Sequence, residues 1–280
     1  MKDFTDKLVL VTGAGSGIGR ETAVAFARHG ARIFAIDLSA AALDDTATMI
    51  RSGGGQCDTR VVDVSNADAM RAMAAEVHDQ YGAVDVLVNN AGRSIRRSLE
   101  LTFDRFHDFE RTMQLNYFGA IRLIMGLAPS MLERRAGHVI NISSVFGLFS
   151  QPTQSGYNAT KFAVRGFTES LRQELDIADG GVSATCVHPG GIKTNIARAA
   201  RTNESIEVIT GSNKEESYKK IEAQFRTTAD DAAKIILAAV RKNKRRVLVG
   251  VDAKLIDVFQ RVLPTAYQRI VGGAVKAGRI

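Results

Sequence analysis

Short apolar runs recur along the chain, each closed by a polar or glycine-rich turn. They occupy residues 7–11, 32–36, 59–64, 84–88, 138–144, 182–187 and 246–250. Runs of this kind, rich in Val and Ile, mark strands buried on both faces. Most are separated by segments of ten or more residues with helical spacing. That alternation predicts parallel strands joined by right-handed crossovers. The expected fold is α/β, a doubly wound parallel sheet of seven strands with helices on both faces. Residues 1–280 read as one domain, with 251–280 as an extension.

The polar motifs fall where these runs end. After the first comes Thr12-Gly13-Ala14-Gly15-Ser16-Gly17-Ile18-Gly19, and then a helical stretch over 21–28 closed by His29-Gly30. Strand, glycine loop and helix form the context of a dinucleotide site of Rossmann type. The glycines admit a pyrophosphate to the backbone, and the helix N-terminus offers unpaired N–H groups. The second run ends at Asp37, about 20 residues beyond the loop, where an acid bonds a ribose 2′-hydroxyl and repels a 2′-phosphate. NAD is therefore expected over NADP, with Arg20 and Arg32 the nearest cations that would oppose this. Asp37 is also a good N-cap for the next helix. The third run ends near Asp63, the fourth enters Asn89-Asn90-Ala91-Gly92, the fifth ends at Ser144 and the sixth enters His188-Pro189-Gly190. In open α/β sheets ligands gather at these ends, so one crevice would collect them all.

Tyr157 and Lys161 stand four residues apart in Ser155-Gly156-Tyr157-Asn158-Ala159-Thr160-Lys161. On a helix they share a face. A nearby ammonium would lower the phenol pKa and make a proton carrier, with Ser144 free to bond the same substrate oxygen.

Taken together, these motifs identify the sequence as similar to the short-chain dehydrogenase/reductase family, in its short single-domain branch. The resemblance rests on the glycine loop, Asp63-Val64, Asn89-Asn90-Ala91-Gly92, Asn116, Ser144, Tyr157 with Lys161, and Pro189-Gly190 through Thr194, in the family's order and spacing. It implies roles. Tyr157 would be the general acid/base, with Lys161 lowering its pKa and binding the nicotinamide ribose. Ser144 would polarise the substrate oxygen, and Asn116 would hold a water on a proton path from Lys161. Gly13, Ser16, Gly17, Ile18 and Gly19 would line the pyrophosphate. Asp37 and Leu38 would lie at the adenosine ribose, and Asp63 and Val64 beside the adenine. Asn90, Ala91 and Gly92 would lie along the cofactor, Asn90 near the adenine ribose. Pro189, Gly190, Ile192 and Thr194 would meet the nicotinamide end. The implied activity is NAD-dependent interconversion of a secondary alcohol and a ketone. A homodimer or homotetramer is implied too. An epimerase or dehydratase of related fold would have different glycine spacing and a larger C-terminal domain. A binding-only nucleotide sensor would be expected to lose part of the catalytic set.

Composition agrees. The chain is 45% hydrophobic and 24% charged, ordinary for a soluble globular protein. The N-terminal residues are polar and no apolar run approaches a membrane span. Cys57 and Cys186 are the only cysteines, so a reducing, cytoplasmic setting is expected. The five histidines have no metal-ligand spacing, so no metal is expected.

Charge changes the picture at the C-terminus. Residues 241–280 hold ten Lys and Arg against Asp252 and Asp257, a net of +8, leaving −1 for the rest. Leu255, Val258, Phe259, Val262, Ala266, Tyr267, Ile270 and Val271 recur there at helical spacing, with Pro264 predicted to split two short helices. Packing on the body or a neighbouring subunit is the expected use; contact with an anionic membrane or an acidic partner is the alternative. Nucleic acid is not expected, because no recognition motif accompanies the charge.

On the substrate side, 195–227 is a long polar stretch read as a lid. Arg93, Arg96 and Arg97 are read as solvated surface or as a rim attracting an anionic substrate such as an acyl-CoA. Phe146, Leu148, Phe149 and Pro152 suggest an apolar wall and a hydrophobic alcohol or ketone substrate.

Overall fold

The computed structural model describes residues 1–96, 103–194, 201–202 and 225–277. Most of the expected lid, together with Arg97, Arg198, Arg279 and Lys214-Glu215-Glu216, lies outside the described residues.

Seven parallel strands build the sheet: β1 (Leu8–Thr12), β2 (Arg32–Asp37), β3 (Gln56–Val61), β4 (Val86–Asn89), β5 (Gly137–Ile142), β6 (Val182–Pro189) and β7 (Arg246–Val249). Their order is β3-β2-β1-β4-β5-β6-β7. The direction of travel across the sheet reverses between β1 and β4, and the crevice for a dinucleotide opens at that switch point. Val9 lies beside Ile33 on one side and Val86 on the other.

Alternation along the strands feeds two cores. Val9, Val11, Val86, Val88 and Ile140 face α1 (Gly17–Ala27), α2 (Ala40–Ser52) and α7 (Ala229–Arg241). Leu8, Leu10, Leu87 and Val139 face the opposite layer. That layer holds α3 (Ala67–Tyr81), α4 (Phe106–Met113), a π turn (Gln114–Phe118), α5 (Gly119–Glu133) and α6 (Ser155–Ala178). The continuous helical run Phe106–Glu133 has the length and hydropathy of a membrane span. Here Leu123, Ile124, Leu127 and Met131 are buried in the sheet-facing core. The polar ends of the run hid this stretch from a search for unbroken apolar residues.

The third strand begins and ends three residues earlier than its apolar pattern suggested. β3 pairs only with β2, and this edge position exposes Gln56, Arg60 and Val61. An edge strand need not be apolar throughout, so the Val-rich segment following it misled the reading. Asp63 therefore lies in the turn before α3, where its carboxylate accepts from Ser65 N (2.8 Å) and Ser65 Oγ (2.6 Å).

Pro264 separates α8 (Val251–Val262) from α9 (Ala266–Lys276). Ala253, Tyr267 and Val271 pack with Val145 and Phe149, and Ile256, Phe259 and Leu263 lie against that cluster. The tail thus packs on the body, directly behind the loop that follows Ser144.

Candidate active site

The glycine loop forms a backbone cradle. Gly13 and Gly17 have φ of +64° and +55°, which side-chain-bearing residues rarely adopt. A Cβ on Gly19 would lie 2.1 Å from Gly13 O, so the turn closes only with glycine there. Ser16 caps α1 without a side-chain bond, whereas Ser39, Asn66 and Thr228 cap theirs through their side chains. A helix N-terminus with free N–H groups behind a glycine loop is what a pyrophosphate site requires. The cradle fits a dinucleotide.

Thr12 locks this loop to the β4 end: its hydroxyl accepts from Asn90 N and Ala91 N, both at 3.0 Å. Asn90 Nδ2 donates to Thr12 O (3.0 Å) and Gly13 O (3.2 Å), so its side chain braces the loop. Asp37 accepts from Gly15 N at 2.9 Å and Ser39 N at 3.1 Å. Leu38, beside it, is exposed. The cations near Asp37 are engaged elsewhere. Arg20 donates to Thr46 Oγ1 (3.0 Å) and Gly15 O (2.5 Å), and Arg32 stacks on Tyr81 at the far end of β2. In the turn before α3, Asp63 is exposed and Val64 buried.

Ser144, Tyr157, Lys161 and Asn116 converge beside the cradle. All four are buried. Ser144 caps a short 3-10 turn by accepting from Phe146 N (3.1 Å), and its hydroxyl lies near the Tyr157 phenol. Lys161 Nζ donates to Ile142 O at 2.8 Å and lies 5.6 Å from the Tyr157 ring centre. Asn116 sits in the π turn, a helical irregularity common at functional sites. Its side chain accepts from Arg93 N (2.9 Å) and donates to Arg93 O (3.0 Å) and Thr160 Oγ1 (3.1 Å). A Cβ on Gly92 would meet both Asn116 Oδ1 (3.2 Å) and Lys161 Nζ (3.5 Å), which places Gly92 between them.

The electrostatics depart from the expected lowering of the phenol. Burial pushes Tyr157 up to about 12, against a smaller lowering from the nearby Ser144 hydroxyl. Burial pushes Lys161 down to about 8. Desolvation disfavours both charged forms, and the lysine nitrogen is committed to a carbonyl rather than to the phenol oxygen.

The loop after β6 completes the crevice. Gly190 N donates to Val249 O (2.9 Å), and Gly191 N donates to Asp252 Oδ2 (2.6 Å). Ile192 is buried, and its neighbour Lys193 joins it in a short parallel pairing with Thr227–Thr228. Thr194 comes back against the glycine loop, 3.1 Å from where a Gly17 Cβ would stand. His188 donates through Nδ1 to Ser144 O at 3.1 Å, tying Pro189 to the serine. Sequence reasoning missed Thr12, Thr160, His188 and Asp252 as supports of the site. The first three sit inside or beside motifs already noted, but nothing local marks Asp252. Among the described residues no cluster of His, Cys, Asp or Glu could hold a metal ion.

Comparison with known proteins agrees with this geometry. The short chain dehydrogenase family profile matches residues 7–205. SadH of Mycobacterium tuberculosis, which carries an oxidoreductase name, is 37% identical over 98% of this chain and 97% of its own length. A fatty acyl-CoA reductase of Acinetobacter baylyi is 33% identical, covering 92% of this chain and 80% of its own. A short chain dehydrogenase/reductase from Burkholderia phymatum, solved in complex with NAD, superposes with a TM-score of 0.85 at 27% identity, over 96% of this chain and 97% of that one. A metagenomic relative solved with NADP gives 0.70 at 25% identity, over 88% and 97%. The chain belongs to the short-chain dehydrogenase family and is an NAD(P)-dependent oxidoreductase.

Proposed function

We propose that the protein uses NAD to interconvert a hydrophobic secondary alcohol and its ketone. The observation that carries this is the burial of Ser144, Tyr157 and Lys161 together at the edge of a cradle shaped for a dinucleotide. The cofactor, when bound, supplies or accepts the hydride. The protein's own residues handle the oxygen and its proton. Tyr157 gives the proton to the carbonyl oxygen or takes it from the alcohol, and Ser144 holds that oxygen in place. Lys161 stabilises the phenolate state when the proton leaves. The Asn116 side chain is occupied by Arg93 and Thr160, so a proton outlet past it would use its backbone carbonyl.

Asp37 supports NAD. Its carboxylate faces the loop, and Arg20 is held by Thr46, Gly15 and Ala42 rather than turned toward a 2′-phosphate. The substrate wall is apolar: the Phe146 ring lies 6.1 Å from Tyr157, with Phe149 next to it. A second reading, reduction of a carbonyl on a long acyl chain, is favoured by this wall and by the relatives named fatty acyl-CoA reductases. Exposed Phe118, Met125 and Leu132 on one helical run, with Phe162 and Ile177 on α6, support a homo-oligomer, which gel filtration tests.

The test is a panel of alcohols, ketones and acyl-CoAs followed by NADH absorbance, run with NAD and NADP. Turnover of hydrophobic ketones with NADH is expected. Preference for NADP would remove the role of Asp37, and cofactor binding without turnover on any substrate would favour a sensor.

A further inference from the structure

The C-terminal helices carry apolar side chains on two faces, and the body covers only one. Inward, Ala253, Ile256, Phe259, Tyr267 and Val271 meet the loop after Ser144. Outward, Val251, Leu255, Val258 and Val262 are 71%, 65%, 58% and 70% exposed. Steps of four, three and four residues put these four within about 60° of arc on α8. Ile270, 52% exposed, adds to the apolar surface on α9. One exposed leucine would be ordinary, but a file of four along three turns is a surface made to be covered.

Charge selects the occupant. Lys254 and Arg261 are exposed along one edge of the file, and Arg269 and Lys276 are exposed on α9. The 241–280 segment sums to +8 against −1 for the rest of the chain. A second copy docking through this face would bring like charge against like. An anionic bilayer offers acyl chains to the apolar file and negative headgroups to the cations beside it. We propose that α8 and α9 dock flat on an anionic membrane surface through Val251, Leu255, Val258, Val262 and Ile270. The inward face of the same helices backs the aromatic loop beside Tyr157, so docking sets the substrate wall close to the lipid.

Vesicle co-sedimentation of the full chain tests this, with phosphatidylcholine alone and with phosphatidylcholine mixed with phosphatidylglycerol. Binding is expected only with the anionic vesicles, weakening as salt rises. The exposed double substitution Leu255→Glu/Val258→Glu should cut that binding at least about tenfold, with melting temperature and cofactor affinity kept. Lys254→Glu/Arg269→Glu, which leaves the apolar file intact, should remove the preference for anionic vesicles. Absence of binding to either vesicle, or equal binding by wild type and both variants, overturns the proposal. So does a loss of oligomer size in Leu255→Glu/Val258→Glu without vesicle binding by wild type, which assigns the face to a second copy.

Discussion

Two buried histidines should make the protein acid-labile. His138 is 2% exposed in β5, with Nε2 2.8 Å from Thr185 Oγ1. The threonine hydroxyl donates to Lys244 O, so it accepts from His138 and fixes a neutral imidazole protonated at Nε2. Burial pushes His138 down to about 3 and His188 down to about 4, from the usual 6.5. A lowered imidazole pKa means that the unfolded chain binds the proton more readily. The stability from each neutral histidine is complete above pH 6.5 and is lost as pH falls toward the folded value. At about 1.4 kcal/mol per pH unit, His138 should cost about 3 kcal/mol at pH 4.5, and His188 a similar amount. Their sum reaches the lower end of the roughly 5–15 kcal/mol typical of whole domains. Urea unfolding between pH 7.5 and 4.5 measures it: the midpoint should fall steeply below pH 6.5. His138→Gln should remove about half of that slope while lowering stability at pH 7 by only about 1 kcal/mol through its altered bond. Asp176 and Asp257 also have lowered pKa values, but carboxylates contribute at lower pH, and comparison of the two proteins cancels them. Identical pH slopes in wild type and His138→Gln would refute the reasoning.

The site makes further predictions. Tyr157→Phe should reduce kcat by about 10²–10⁴-fold with NAD affinity nearly unchanged, read by steady-state kinetics and cofactor titration. Asp37→Ser should weaken NAD and improve NADP, so the ratio of kcat/KM for the two should move by about tenfold or more; an unchanged ratio would remove Asp37 from cofactor selection. At Gly190 a Cβ would stand 2.1 Å from Asp252 Oδ2, so Gly190→Ala should expel the carboxylate that holds Gly191 N and raise KM for the cofactor. Adding Asp252→Ala to that variant should then cost little more, because both changes break the same contact; additive losses in the double-mutant cycle would show the two to be independent.

Much of this architecture was legible because interior parallel strands write themselves as unbroken apolar runs. Residues 32–36 and 182–187 read as strands because sheet covers them on both sides. β3 was displaced because its edge position lets Gln56 and Arg60 face solvent, while Val64 beyond it is buried for another reason, packing near α5. Spacing placed Tyr157 and Lys161 on one helical face but not the lysine's partner, since Ile142 O is brought by β5 from 19 residues upstream. Burial is what raises the phenol, and with the lysine bound to Ile142 O no ammonium at the phenol oxygen offsets it. The tail's periodicity merged Leu255, Val258 and Val262 with Phe259, Tyr267 and Val271, because helical spacing alone does not say which side the body covers. Only packing separates the two faces.

The tail also reaches the proposed substrate wall. The family profile ends at residue 205, before α8 and α9 begin. Yet these helices touch both the loop after Ser144 and the loop after β6. On the substrate side, Tyr267 OH accepts from Ser150 N at 3.1 Å, and its ring stands 6.0 Å from Phe149. Phe149 contacts Phe146, and Phe146 contacts Tyr157. On the cofactor side, Asp252 holds Gly191 N. In the proposed reaction the strand ends set where the proton and the hydride meet. There the aromatic chain bounds the apolar shape that can approach, and its outer end lies in α8 and α9. Exchanging Tyr267 or Phe259 therefore alters the wall without touching Ser144, Tyr157 or Lys161.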